Sequence, residues 1–312
     1  MSRFSDSVVP FPLDGFVNVM KPKQMTSSDV VCIVRGALSA ASGCRRKAGH
    51  LGTLDPLATG VLPVAVGKAT RLFDLLAFKR KTYVAEFTFG RTTDTLDSGG
   101  TFSEERGNVP DEKEIRGALP SFVGKISQIP PAYSSKSVDG RRAYSYARKG
   151  VEIQLPPKTV QVYSFELTGR KGEAFEFEIE CGGGTYIRSL ARDLAAALGT
   201  VGYMSALERT RSGVFTVDTA VEIEDFRRAP LDYVLPMQIA LSQFGRYTLN
   251  DDETKRALNG IAVPFCDERL TYPEANGNSA QSDDAFVVYD TSDNPLGIGT
   301  IHDGKLKLKT RL

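Results

Sequence analysis

Alternating and helically spaced apolar positions divide the chain into many short elements. KTYVAEFTFG places Tyr83, Ala85, Phe87 and Phe89 on one side of a strand. TVQVYSFEL and EAFEFEIEC keep the same period of two and predict an antiparallel pair joined by TGRKG. FVNVM, at Phe16–Met20, reads as an opening strand, and the apolar run VLPVAV as a short buried one. Helical spacing puts Val30, Val31, Val34 and Leu38 on one face of a helix starting near Ser27 or Ser28. ATRLFDLLAF, DEKEIRGAL and TYIRSLARDLAAALG predict further helices, the last preceded by three glycines, and GYMSALERTRSGVFTV predicts two strand-like pieces. Past about Gly245 the pattern shifts to a short helix in YTLNDDETKRALNGIAVPF, then the strand candidates AFVVYD, PLGIGTI and KLKLKT. The expected class is α+β: a catalytic-sized domain over 1–248 built on a mixed, largely antiparallel sheet, and a small β-rich domain over 249–312. A segment that small needs to dock on the larger part.

Composition narrows the chemistry. Apolar residues at 41% and charged residues at 25% are those of an ordinary globular protein. No apolar run reaches the roughly 18 residues of a membrane span, and the start MSRFSDSVVPFPLDG has no secretory h-region, so a cytoplasmic protein away from membranes is expected. The four cysteines form no C-x-x-C pair and there are only two histidines, so no metal site is expected. The net charge of +1 conceals a division: 249–312 holds 11 acidic and 7 basic residues, leaving the larger part positive. Arg35, Arg45, Arg46 and Lys47 cluster without an acid between Val30 and His50. Lys136, Arg141, Arg142, Arg148 and Lys149 face a single acid, Asp139, between Lys136 and Lys149 of a long excursion over 128–153. Two separated basic clusters suit a polyanion such as nucleic acid.

GHLGTLDPLATGVLPVAVGKATRL sets one carboxylate, Asp55, among glycines, threonines and small apolar residues. The structural reading is a helix N-cap followed by proline at the first helical position. GVLPVAVGKA fails as a phosphate-binding loop, because six residues separate Gly60 from Gly67 and Ala69 stands where a hydroxyl should bind magnesium. CGGGTYIRS fails as a dinucleotide loop, because Ile187 stands where its last glycine belongs.

Four segments, GHLGTLDPLATGVLPVAVGKATR, KTYVAEFTFGRTTDTLDSGG, QIPPAYSSKSVDGRRAYSYARKG and CGGGTYIRSLARDLAAALG, in this order, resemble the bacterial tRNA pseudouridine synthases of the TruB type. The likeness is good over about 14–248 and holds only in outline beyond. It implies isomerisation of uridine 55 in the tRNA T-loop, with no cofactor and no metal. It implies Asp55 as nucleophile, by attack on C1′ or assistance to a glycal route, Tyr83 as the stacking tyrosine and general base, and Arg188 as the ion-pair partner of Asp55. Tyr186 and Leu207 match pocket-lining positions, His50 the histidine that splays the T-loop, and Asp97, with Asp94 as a competitor, the acid behind the arginine. The 128–153 excursion matches an RNA-clamping thumb and 249–312 a PUA-like domain. The partner implied is the tRNA T-stem-loop, which the enzyme reaches by flipping out a base, and a monomer with no obligate protein partner is expected. Two rival readings follow the same residues: a guide-RNA-dependent relative, whose kind generally lacks the thumb, and an RNA-folding protein with secondary catalysis. At −4, the C-terminal domain is expected to contribute little to RNA binding.

Overall fold

The computed structural model describes residues 13–76, 80–134, 137–138, 141–142, 155–273 and 285–312. Its centre is a ten-stranded sheet. The main strands are β1 (Gly15–Lys21), β2 (Thr59–Val66), β3 (Lys81–Phe89), β4 (Gly124–Gln128), β5 (Lys158–Lys171), β6 (Ala174–Cys181), β7 (Gly202–Ser212) and β8 (Leu235–Pro236). Their spatial order is β8-β1-β2-β7-β3-β6-β5-β4, with Ala48–His50 added to β2 and Phe215–Thr216 to β7. All contacts in this order are antiparallel except β2–β7, where Glu208 and Arg209 pair with Thr59 and Gly60 in parallel. The class is the α+β one expected, with a mixed and mainly antiparallel sheet.

The helix Ser27–Ser42 opens with a capping box, in which Thr26 accepts from the Asp29 amide and Asp29 accepts from the Thr26 amide. It buries the expected Val30, Val31, Val34 and Leu38 against Val17, Val19, Leu62 and Val64 of β1 and β2. The other face of the same strands, through Phe16, Val61 and Ala65, joins a second core with Leu51, Leu72, Val287 and Ile298. β2 is covered on both sides, which is why VLPVAV is a continuous apolar run instead of an alternating one.

ATRLFDLLAF was expected to be one helix, but it starts as a 3₁₀ turn over Gly67–Leu72 and becomes α-helical only at Phe73–Leu76. Asp14 accepts from the Lys68 amide and Gly67 takes φ +61, so entry is tightened into a turn that a straight helix does not permit. β5 and β6 form the expected hairpin, with the turn moved to Gly172 and Glu173 so that most of TGRKG lies in strand. GYMSALERTRSGVFTV is one long strand and a two-residue return. The helices Ile223–Arg228 and Met237–Leu241 were not foreseen.

A six-stranded sheet follows, built from Val263–Pro264, Lys305–Arg311, Pro295–His302, Phe286–Tyr289, Gly245–Thr248 and Leu270–Thr271. Its strand Gly245–Thr248 lies just ahead of Leu249, within the span expected of the first domain. Val287, Tyr289 and Ile298 from this sheet enter the second core of the large domain. Deleting the segment strips apolar cover from Phe16 and Leu51 and so reports on folding as well as on RNA. Substitution of Lys305, Lys307 and Lys309, exposed at alternate positions of the last strand, is the cleaner measurement. Their joint change to Ser is expected to leave affinity for RNA nearly unchanged at moderate salt, and a loss of about tenfold would assign this face a phosphate contact.

Candidate active site

The segment that carries Asp55 is an ordered loop. Asp55 does not cap a helix: the Ala58 amide closes one turn on the Asp55 carbonyl, and β2 begins at Thr59. The β1-to-helix connection holds this turn from behind. Ser27 Oγ donates to the Leu54 carbonyl and accepts from the Leu54 amide, both at 2.9 Å. The Pro56 carbonyl accepts from the Gln24 amide at 2.7 Å and from Lys21 Nζ at 3.4 Å. Lys21 is fully buried and also donates to the Pro22 and Met25 carbonyls. Burial lowers its ammonium to about 8, against the pull of the nearby Asp55 charge.

Gln24 makes its contact from φ +68, a left-handed conformation that costs a residue with a Cβ about 1–2 kcal/mol. Gln24→Gly is therefore expected to raise unfolding stability by about 0.5–1 kcal/mol, after the entropy glycine loses on folding. Denaturant titration checks this, and destabilisation would show that the Gln24 side chain holds the loop.

Arg188 organises the floor of the cleft. It lies in the first turn of the helix Ile187–Ala197, and only 6% of its side chain is exposed. Nε reaches Asp55 Oδ2 at 2.9 Å, Nη1 lies 3.4 Å from Asp97 Oδ2, and the Thr95 and Tyr133 carbonyls accept at 3.0 and 2.9 Å. The acid beside the arginine is Asp97, whose Oδ1 accepts from Thr95 Oγ1 and the Gly99 amide. Asp94 instead faces outward, accepting from the Thr101 amide. The helix start is clasped by Gln128, which donates to the Tyr186 carbonyl and accepts from the Tyr186 amide.

Asp55 keeps 32% of its side chain open to the cleft, against 10% for Asp97. Burial raises the Asp55 carboxyl above its usual range, the charge of Asp97 adds to this, and Arg188 and then Lys21 oppose it. A poised carboxylate in a cleft with a specific cationic partner is a functional-site signature.

The cleft encloses about 230 Å³. Its walls include Asp55, Tyr83, Tyr186, Arg188 and Leu207, five residues that are distant in sequence and that the fold brings together. Burial pushes the Tyr83 phenol up to about 12, with Arg209 acting in the opposite direction. Tyr186 is half-buried beside Ser134, and burial raises its phenol too. Leu207 is buried opposite Ala85 across the β7–β3 pair. His50 is not in the cleft wall: it ends the strand Ala48–His50, half-buried, and burial lowers its imidazole below the usual range.

Lys81, Met204 and Arg209 also line the cleft and were not singled out from sequence. Lys81 carries a legible signal, because it falls on the same alternating face as Tyr83 and is buried there. Burial lowers its ammonium to about 8.

The first basic cluster is brought into a single open groove, where Arg35, Arg45, Arg46 and Lys47 join Thr70 and Phe73. Of the second cluster, Arg141 and Arg142 form a short strand paired with Ser137–Val138, while Lys136, Arg148 and Lys149 lie outside the described residues. Among the described residues no group of three or more His, Cys, Asp or Glu side chains gathers as a metal site.

Residues 41–187 match the sequence model of the TruB family pseudouridylate synthase N-terminal domain, and residues 188–242 that of the tRNA pseudouridylate synthase B C-terminal domain. The chain belongs to the TruB family. The two matches meet between Ile187 and Arg188, inside the cleft, so both family segments supply its walls, and the six-stranded sheet lies beyond them. Relatives in the family include the tRNA pseudouridine synthase B of Caulobacter sp. strain K31, 40% identical over 80% of this chain and 81% of its own. That of Dehalococcoides mccartyi strain 195 is 37% identical over 95% of this chain and 97% of its own. Among solved structures, a Cbf5-Nop10-Gar1 complex matches with TM-score 0.69 and 27% identity, over 96% of this chain and 80% of that one. An H/ACA ribonucleoprotein bound to a substrate RNA containing 2′-deoxyuridine matches with TM-score 0.70 and 25% identity, over 96% of this chain and 85% of that one. The fold and the family membership make this chain a pseudouridine synthase.

Proposed function

We propose that this enzyme isomerises uridine 55 in the T-loop of tRNA, with Asp55 as nucleophile, and that it works without a guide RNA. The observation that carries this is the Asp55–Arg188–Asp97 chain at the floor of a cleft walled by Tyr83, Tyr186 and Leu207. The reaction breaks the N1–C1′ bond, turns the base, joins C5 to C1′ and moves the C5 proton to N1. No electron or group is imported. Asp55, ionised and held by the loop, engages C1′ while Arg188 keeps its charge compensated. The aromatic and aliphatic walls suit a base taken out of its stack. Tyr83, on β3 and in the cleft wall, acts as the general base for C5 in this reading.

The basic groove at Arg35, Arg45, Arg46 and Lys47 and the Arg141–Arg142 strand supply cations for phosphates. Ala48–His50 leads directly from that groove to the Asp55 loop, and in this reading His50 takes the place of a displaced T-loop base. The stand-alone reading is supported by relatives named tRNA pseudouridine synthase B at 35–40% identity, against 25–27% for the ribonucleoprotein components. Pseudouridine mapping on tRNA transcripts treated with the purified protein alone tests it. A single modification at position 55 is expected. Modification elsewhere, or only after an RNA-containing extract is added, overturns it.

A further inference from the structure

We propose that Arg209 is a positioning residue for the reaction: it fixes the Tyr83 hydroxyl beside the nucleophile loop and supplies the positive charge against which Tyr83 gives up and takes back a proton. This rests on the reading of Tyr83 as general base.

Arg209 on β7 is paired directly with Tyr83 on β3, so the two side chains share a face of the sheet. On its other side Arg209 pairs with Gly60, where a Cβ would lie 2.3 Å from the Arg209 carbonyl oxygen. Glycine there lets β2 approach closely enough to receive the guanidinium. Nε donates to the Val61 carbonyl at 2.7 Å and Nη2 to the Gly52 carbonyl at 3.2 Å, which ties β2 and the loop leading to Asp55 to β7, the strand that pairs with that of Tyr83.

The side chain is fully buried, and among the described residues no carboxylate forms an ion pair with it. Among the described residues Nη1 has no hydrogen-bond partner. A buried guanidinium without a counter-charge is costly unless an anion forms beside it, and the acidic groups it interacts with are Tyr83 and Cys181. The groups acting on Tyr83 are Arg209, Cys181 and Asp55, with Lys81 two residues away on the same strand face. Burial pushes the Cys181 thiol up to about 11, and Asp55 is engaged by Arg188. Tyr83 is therefore the group whose deprotonation Arg209 favours.

The step balances within the site. With C5 already joined to C1′, the neutral Tyr83 phenol gives its proton to N1 of the base. The phenolate so formed then takes the C5 proton, the C5–H electron pair passes into the ring, and Tyr83 returns to its neutral starting state. Arg209 keeps its own proton throughout.

The test uses a tRNA transcript carrying 5-deuteriouridine at position 55, in single-turnover reactions of wild type, Arg209→Lys and Arg209→Met. For the Met variant the rate is expected to fall about a hundredfold, the size of a lost acid–base contribution. The isotope effect at C5 should rise, because proton removal becomes the slow step. The Lys variant should fall between the two. Placing 3-fluorotyrosine at position 83 acidifies the phenol and should restore part of the rate in the Met variant. Wild-type rate in the Met variant, or a slower rate with the wild-type isotope effect and no response to fluorination, would make Arg209 a structural strut only. If the Met variant does not fold, the Lys variant decides, and a rate insensitive to fluorination overturns the proposal. Failure of wild-type protein to make pseudouridine is a different result and bears on the function reading instead.

Discussion

Asp55→Asn is expected to abolish pseudouridine formation while leaving the fold and tRNA affinity intact. Asn is close to isosteric and fits the turn closed by the Ala58 amide. Arg188 is not orphaned by the change, since Asp97 Oδ2 remains 3.4 Å away and the Thr95 and Tyr133 carbonyls still accept from it. What disappears is the ionised oxygen that engages C1′, by either of the two routes open to a carboxylate. Loss of a nucleophile from an intact site costs about 10⁴-fold or more, which single-turnover assays resolve. tRNA affinity by filter binding should stay within about threefold, because phosphate contacts made elsewhere dominate it. Activity retained within about tenfold would remove Asp55 from the chemistry.

Arg188→Met is expected to lower the rate near neutral pH by about two to three orders of magnitude, the usual effect of removing one charge-stabilising group from an enclosed site. The pH profile separates this from simple misfolding. Asp55 already sits above the usual carboxylate range, raised by burial and by Asp97, and Arg188 is the strongest influence holding it down. Without Arg188 the carboxyl rises further, so less of it is ionised at a given pH. The acid limb of kcat/KM should move to higher pH, and the deficit should shrink as pH rises. Asp97→Asn should act with the opposite sign on the same limb, because a negative neighbour that raises Asp55 is removed. It also weakens the support of Arg188, so a lower plateau with an acid limb at lower pH is expected. An acid limb that did not move in either variant would separate Asp55 from the pH-dependent step.

Local pattern carried much of this architecture. The helix Ser27–Ser42 could be read from its capping box and its valine spacing, and β3 from strict alternation. Asp55 stood out because its segment is distinctive, whereas Tyr83 and Arg188 were singled out only through the family resemblance, and the structure brings all three to one cleft. The N-cap reading of Asp55 failed because the apolar residues after the Asp-Pro turn are claimed by both faces of a sheet, which overrides the local helix signal. Arg209 and Gln128 were illegible for another reason. Their partners Gly52, Val61 and Tyr186 lie 157, 148 and 58 residues away. Arg209 meets its partners only through a strand order that places β7 between β2 and β3, and Gln128 reaches Tyr186 only through one that places β5 between β4 and β6; no periodicity encodes either order. Lys21 was hidden similarly, since a lysine after an apolar strand looks solvated until the Pro56 carbonyl is folded over it.

The most direct test of Asp55 as the nucleophile of a T-loop uridine isomerase is tritium release from a tRNA transcript labelled at uridine C5, with wild type and Asp55→Asn side by side. Wild type alone is expected to release one equivalent of tritium per tRNA, from the T-loop uridine and from no other, with none released by the Asn variant. Release by both proteins, or wild-type release that persists when the T-loop uridine is replaced by cytidine, would contradict it.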